Sequence, residues 1–250
     1  SIYDKDDART KCTYEEVDGL GLLFICVPTP TDRDGKFDLT IIENSIKNLQ
    51  PGKILVIKST VTPDAAQVLV NQFPEQEFVF NPEFLTQRTA VEDFKNPSRI
   101  VIGGSSENTT IVKDMYLKIF PAAKYIETDY KTACFIKYFS NCFFAIKVSA
   151  MNEFRQIALN SGVNWDTSLE GLLTSGWVNP MHTKVPGPDG EFGFGGKCFP
   201  KDLNSFTSYC LDIGIEPVML KATWDRNLLA RKNKDWLNTE AIATKEKDNE

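Results

Sequence analysis

Histidine is almost missing from this chain: His182 is the only one in 250 residues. A histidine-rich metal centre is therefore not expected. The six cysteines (12, 26, 134, 142, 198 and 210) contain no CxxC pair, so thiolate metal-ligand spacing is missing too, and no metal site is predicted. Long apolar runs are also lacking. Stretches such as Leu20 to Val27 are far too short to span a bilayer. The opening SIYDKDDART has no basic start leading into an apolar stretch, so no secretory signal is expected. There is no basic excess either: the net charge of -6 argues against a bulk nucleic-acid partner. It does not argue against an anionic small molecule, which a few local Lys or Arg side chains can hold. Scattered thiols without a signal fit a cytoplasmic protein whose cysteines mostly act as small buried hydrophobes. What remains is an ordinary globular balance, 42% hydrophobic and 25% charged, able to build a sizeable core without disulfides.

The first half alternates short apolar runs with polar, helix-like stretches. The runs are Leu22–Val27, Ile54–Ile57, Phe78–Phe80 and Ile100–Ile102, with a weaker one at Lys124–Ile126. Bounded by turn residues, they read as parallel strands covered on both faces. Asp38–Leu49 is an amphipathic helix with Asp38 as its expected N-cap, ended by Gln50-Pro51-Gly52. The pattern is α/β: a partial Rossmann-like, doubly wound parallel sheet over residues 1–128. The texture then changes. Residues 130–161 hold no Pro or Gly and predict one long helix. A Gly/Pro-rich segment, Pro180 to Gly196, leads to helical patterns near 200–213 and 216–237. Residues 129–237 therefore form a mostly helical domain, and 238–250 a polar tail expected to fray.

A dinucleotide-binding fold should open with a strand and a G-x-G-x-x-G turn carrying pyrophosphate at a helix N-terminus. No such string occurs before residue 100. SIYD looks instead like the end of a second Rossmann strand, with Asp4 placed for adenosine ribose hydroxyls. The chain is expected to begin just after its own phosphate loop.

GFGGKCFPKD (Gly193–Asp202) is the most informative string. Its glycines let backbone approach a ligand and expose amide N–H groups. Cys198 follows at once, with Lys197 and Lys201 nearby to favour a thiolate. Asp202, four residues on, shares a helix face with it and is placed to orient a water or accept a proton. By pattern alone Cys198 is either a nucleophile or a buried structural thiol. On the long helix, Lys137 and Asn141 are also four apart, among apolar neighbours, and suit a developing oxyanion. The alternative is a solvated lysine and a helix-contact amide. Three strand ends carry polar groups where open α/β sheets bind ligands: VPTPT (Val27–Thr31), KSTV (Lys58–Val61) and NPEF (Asn81–Phe84).

Taken together, FICVPTPT, ILVIKSTVTP, NPEFL, AVEDFKNPSRIVIGG, FIKYFSNCFFAIKVSAMNE and FGFGGKCFPKD resemble the UDP-glucose/GDP-mannose dehydrogenase family, in family order from about residue 1 to 235. The resemblance implies NAD-dependent oxidation of a nucleotide-sugar C6 alcohol to the carboxylate, with UDP-glucose as the default substrate. It implies Cys198 as the nucleophile that forms a thiohemiacetal and then a thioester. Lys137 matches the oxyanion-stabilising lysine, Asn141 its neighbour at the sugar, and Asp202 the carboxylate beside the cysteine. Glu83 matches the base for hydrolysis and Thr60 a water-holding hydroxyl. On the cofactor side, Asp4 and Arg9 match the adenosine end; Val27, Pro28, Thr29, Pro30, Thr31, Ser59, Thr60 and Val61 match the nicotinamide loops. Glu83, Phe84, Leu85 and Gln87, with Phe192, Gly193, Phe194 and Gly195, match sugar-nucleotide contacts. A homodimer through the helical domain is implied as well.

The chain departs from the family at several positions. Gln87 and then Arg88 stand where a glutamate and a glycine are usual, which places Gln87 on the cofactor side too. Ala133-Cys134 replaces Ala-Glu. The stretch around His182 and Lys184 replaces one holding a basic substrate contact, and the C-terminal nucleotide-binding domain is expected to be absent. These departures keep a second reading open, a catalytically impaired or non-catalytic module with the family fold. A related hydroxyacid dehydrogenase shares the architecture but does not explain a cysteine in GFGGKCFPKD.

Overall fold

The computed structural model describes residues 1–32 and 34–238; the polar tail 239–250 lies outside the described residues. The chain divides into two compact units. One comprises Ser1–Thr29 and Asp38–Lys137, the other 30–37 and the residues from Tyr138 onward.

In the first unit, short helix α1 (Tyr14–Asp18) precedes strand β1 (Leu22–Ile25). Then come α2 (Thr40–Ile46), β2 (Ile54–Ile57), α3 (Pro63–Gln72), β3 (Glu77–Phe80), a 3-10 turn (Gln87–Thr89), α4 (Ala90–Lys95), β4 (Arg99–Gly104), α5 (Ser106–Leu117) and β5 (Lys124–Thr128). The strands lie in sequence order, β1-β2-β3-β4-β5. Each apolar run predicted to be a strand is one. Asp38 is not the N-cap of α2: the helix begins at Thr40 with Leu39 as its cap and no side-chain cap bond, and Asp38, one residue further back, accepts the Thr40 N–H at 2.8 Å in a local turn. The sheet is Rossmann-like but not uniformly parallel: β3 and β4 pair antiparallel, Val79 opposite Gly104 and Phe80 opposite Gly103. The cause is local. After Phe80 the chain stays at the strand's C-terminal edge and enters β4 from that same edge, so no crossover is made. Val56, Val79, Ile100 and Ile102 form the core with Val112, Tyr116 and Phe120 from the helical side.

Helix α6 (Tyr130–Asn160) opens in the first unit, where Tyr130 rests 5.8 Å from the Phe80 ring. Gly103 makes that packing possible: a Cβ there would lie 2.5 Å from the Ala133 Cβ and 2.6 Å from the Asp129 carbonyl oxygen.

The second unit is helical. It contains the rest of α6, α7 (Trp165–Leu173), α8 (Cys198–Asp212), α9 (Val218–Ala230) and a 3-10 turn (Asp235–Asn238). α7 had no counterpart in the sequence reading. Tyr138, Cys142 and Ala145 of α6 pack with Phe194 and with Leu203, Phe206 and Cys210 of α8. Full burial of side chains such as Leu203 and Phe206 contributes about 1.5–3 kcal/mol each. Among the described residues no helix is long and apolar enough to cross a membrane.

Candidate active site

In the first unit the C-terminal ends of parallel β1, β2 and β3 gather the polar residues that follow them. Ser59 Oγ donates to the Val27 carbonyl at 2.6 Å, fastening the two predicted nicotinamide loops to each other. Thr60 is half-buried beside it, while the Val61 side chain belongs to the core. Thr29 is buried at the end of its loop; Pro30 and Thr31 fall in the second unit, where Thr31 bridges to Phe37.

Glu83 and Lys137, 54 residues apart, meet here: Lys137 Nζ lies 3.2 Å from Glu83 Oε1. The other carboxylate oxygen accepts the Leu85 N–H at 2.7 Å. Lys137 is buried, 3% exposed, and its ammonium stands 5.6 Å from the Phe84 ring centre. Arg99 covers the same ring at 4.3 Å. Gln87 and Arg88 are exposed on the 3-10 turn. Cys134 is buried, and burial pushes its thiol well above the ordinary range, so the residue in the glutamate's place is neutral.

Lys58 opens the KSTV strand end, a position to which the sequence pattern gives no role of its own. Its Nζ donates to Asn81 Oδ1 at 3.0 Å, an oxygen that also accepts the Tyr116 hydroxyl at 2.7 Å. The Asn81 amide nitrogen donates to the Val101 carbonyl at 2.7 Å, fixing the amide's orientation. Burial pushes the Lys58 ammonium down to about 8; Cys26 and Glu83 oppose the shift and Lys137 adds to it. The signal for it was a lysine set directly after the all-apolar strand ILVI.

Asp4 and Arg9 are not drawn together. Asp4 Oδ1 accepts the Asp6 N–H at 2.9 Å, whereas Arg9 pairs with Asp6 at 3.2 Å.

In the second unit, Cys198 is exposed and is the first residue of the 15-residue α8. Asp202 follows one turn later and is only 1% exposed. Its carboxylate is held from both sides: Asn141 Nδ2 donates to Oδ2 at 2.5 Å and Lys201 Nζ to Oδ1 at 2.6 Å. Lys201 thus serves Asp202, while Lys197 is exposed. Cys198 stands at the first position of α8, where the aligned peptide dipoles of the helix leave a partial positive charge.

Phe192 is exposed, with the Arg155 guanidinium 5.2 Å from its ring centre. The Gly193, Phe194 and Gly196 amides do not await a ligand; they donate to Asn152, Asn227 and Asp235 of the protein itself. The His182 ring packs between Phe144 at 4.8 Å and Phe199 at 5.5 Å. Burial, then Lys147, lowers its pKa, which disfavours a cationic role for it. Lys184 is exposed.

Two family models match nearly the whole chain. One, described as the NAD binding domain of the UDP-glucose/GDP-mannose dehydrogenase family, covers residues 5–120. The central domain of the same family covers residues 131–228. A UDP-glucose 6-dehydrogenase of Rickettsia bellii is 32% identical over 240 residues, which is 92% of this chain and 53% of that protein. A UDP-glucose dehydrogenase structure from Pyrobaculum islandicum superposes with a TM-score of 0.76 at 30% identity, over 86% of this chain and 52% of that one. A ternary complex of GDP-mannose dehydrogenase from Pseudomonas aeruginosa gives a TM-score of 0.59 at 26% identity, over 86% and 52%. The chain spans about half the length of the curated relatives it matches. With both domains matched in order, the chain belongs to the UDP-glucose/GDP-mannose dehydrogenase family.

Proposed function

We propose that this chain supplies the catalytic centre for NAD-dependent oxidation of a nucleotide-sugar C6 alcohol, UDP-glucose most directly, to the uronate, with Cys198 as nucleophile. The observation that carries the reading is Asp202. It is a nearly inaccessible carboxylate, held by Asn141 and Lys201 on the helix that begins with an exposed cysteine. Burying a charge with two dedicated donors is costly for a purely structural purpose and is common where a carboxylate serves chemistry.

The sheet edge of the first unit suits NAD by its donor set. Hydroxyls and backbone groups of 27–29 and 59–61 match a nicotinamide carboxamide, and the Asp4 carboxylate matches ribose hydroxyls. NAD, when bound, accepts a hydride in each of the two oxidations. The remaining steps fall to the chain. The Cys198 thiolate adds to the C6 aldehyde and retains it as a thiohemiacetal; loss of hydride leaves a thioester. Lys137 offsets the negative charge that develops on the C6 oxygen. Asn141 contacts the sugar, and Asp202 holds the water that hydrolyses the thioester. Glu83 takes that water's proton, helped by Thr60. The sugar nucleotide is held by residues 83–87 and 192–195. We divide the chain functionally into an NAD-binding part, 1–128, and a helical catalytic part, 129–237. The six cysteines form no disulfide among the described residues, which favours a cytoplasmic setting.

The test uses the complete protein. Wild type should form NADH and uronate at a ratio of about two to one. Cys198→Ser should release no uronate, and release at the wild-type rate would remove the nucleophile assignment. Calorimetry that finds neither NAD nor UDP-glucose bound would favour the non-catalytic reading.

A further inference from the structure

The short glycine loop before Cys198 is gripped from below by one face of α9 and the residues just after it. Asn227, fully buried, closes two hydrogen bonds on a single residue: Oδ1 accepts the Phe194 N–H at 2.7 Å and Nδ2 donates to the Phe194 carbonyl at 3.0 Å. One turn on, Arg231 is 3% exposed. Its guanidinium donates to Asp189 at 2.9 Å, to Asp235 at 3.2 Å and to the Asn233 carbonyl at 2.9 Å. Asp235 in turn accepts the Gly196 N–H with both oxygens, at 3.2 and 3.1 Å. The Gly193 N–H donates to Asn152 on α6 at 2.9 Å.

The glycines are shaped to this grip. A Cβ on Gly193 would lie 2.3 Å from Asn227 Oδ1, and one on Gly195 2.3 Å from the Arg231 guanidinium carbon. Gly196 meets nothing at its Cβ position, but its φ of +72° is one that L-residues rarely adopt. Two of the glycines are therefore small to admit Asn227 and Arg231, and the third to turn the chain into α8.

We infer that Asn227 and Arg231 are positioning residues for Cys198, acting through the Gly193–Gly196 loop that leads into the first turn of α8. This rests on the reading of Cys198 as the nucleophile. The geometry supports it beyond stability alone. The buried Arg231 guanidinium is paired with two carboxylates, Asp189 just before the loop and Asp235, which itself holds the Gly196 N–H; its third bond goes to the Asn233 carbonyl. Gly196 is two residues from Cys198, so slack in the loop reaches the thiol through the single intervening residue Lys197.

The test reads the thiol and needs neither cofactor nor sugar. Cys198 alkylation by iodoacetamide is followed by mass spectrometry across pH, with the exposed Cys26 of the other unit as internal reference. Arg231→Lys keeps the charge but loses the fork; Asn227→Asp keeps the shape but sets an acceptor against the Phe194 carbonyl. Both are assayed well below their thermal midpoints. The Cys198-to-Cys26 rate ratio should fall by about fivefold or more, with a raised pH midpoint, as the thiol loses its seat at the helix N-terminus. Free guanidinium should restore the ratio in Arg231→Ala. Gly195→Ala should lower the ratio, and less so in combination with Arg231→Ala, where the clash is gone. Ratios within twofold of wild type in the folded variants would overturn the proposal. The nucleophile assignment fails separately: uronate release by Cys198→Ser removes that reading, whereas an unchanged alkylation ratio removes only the clamp.

Discussion

Asp202 and Lys58 are both enclosed charged groups, and they predict different behaviour. Asp202 has two donors, one of them the ammonium of its buried neighbour Lys201. Asp202→Asn keeps the volume but leaves Lys201 without its counter-charge. The loss should be about 3–5 kcal/mol in urea unfolding, the magnitude for breaking a buried pair from one side. In the complete protein, uronate release should fall by about a hundredfold or more if, as proposed, this carboxylate holds the hydrolytic water. Lys58 donates to a neutral partner, Asn81, and burial lowers its pKa from 10.5 to about 8 although Cys26 and Glu83 oppose the shift. Between those two values the unfolded chain binds more protons than the folded one, so this group makes stability rise with pH across that window. Below about 8 the folded state carries the full cost of an enclosed ammonium. Lys58→Met should therefore be more stable than wild type at neutral pH, and its advantage should shrink as pH climbs from 8 towards 10.5. Thermal midpoints of both proteins over pH 7–10.5 check this; a pH-independent difference would show that burial does not govern Lys58.

At the scale of elements, Gly103 shows how the sheet meets α6. It lies on β4, opposite Phe80 of β3, with the start of α6 against its α-carbon. Gly103→Ala places a methyl within 2.6 Å of both the Ala133 Cβ and the Asp129 carbonyl, and neither belongs to a flexible side chain able to swing away. Overpacking of this kind costs about 1–3 kcal/mol. Guanidinium unfolding of Gly103→Ala should show a lower midpoint, and an unchanged midpoint would mean α6 can retreat without loss. The elements also show what a sequence discloses. Runs such as ILVI at 54–57 were legible as strands because burial on both faces leaves a continuous apolar signature. The long α6 was legible because no Pro or Gly interrupts it. The direction of β4 was not, since an apolar run reads the same in either orientation and its sense depends on where the chain re-enters the sheet. The pairing of Lys137 with Glu83 was legible only as two separate motifs, because their meeting is made by the return from β3 and by α6, 54 residues apart. Asn227 and Arg231 stood four apart near a helix end, an ordinary polar pair by pattern. Their importance comes from the two glycines they meet, which no local rule connects to them.

At the scale of the molecule, the question is what the helical unit's apolar surface is for. Phe143, Phe154 and Ile157 on α6 are 54, 60 and 52% exposed, and Val218, Met219 and Leu229 on α9 are 64, 62 and 80% exposed. Single apolar side chains on a surface need no explanation; large ones recur here along two helices of one unit, an exposure that association would cover. We propose that this surface joins two copies of the chain. A stable pair needs about 1,200–2,000 Å² of buried area, and aromatic side chains in the middle of such a surface contribute disproportionately. Phe154 is the residue to change, since it is 60% exposed and Asp at that position sets a carboxylate into the proposed contact while leaving each chain's own core untouched. Phe154→Asp should sediment as a monomer at concentrations where wild type is a dimer, with apparent affinity weakened by about a hundredfold or more. Its circular dichroism should match wild type. If the surface serves another partner, wild type will itself be a monomer; if it serves the chain's own copy elsewhere on the unit, Phe154→Asp will remain a dimer. Either result would move the interface away from α6.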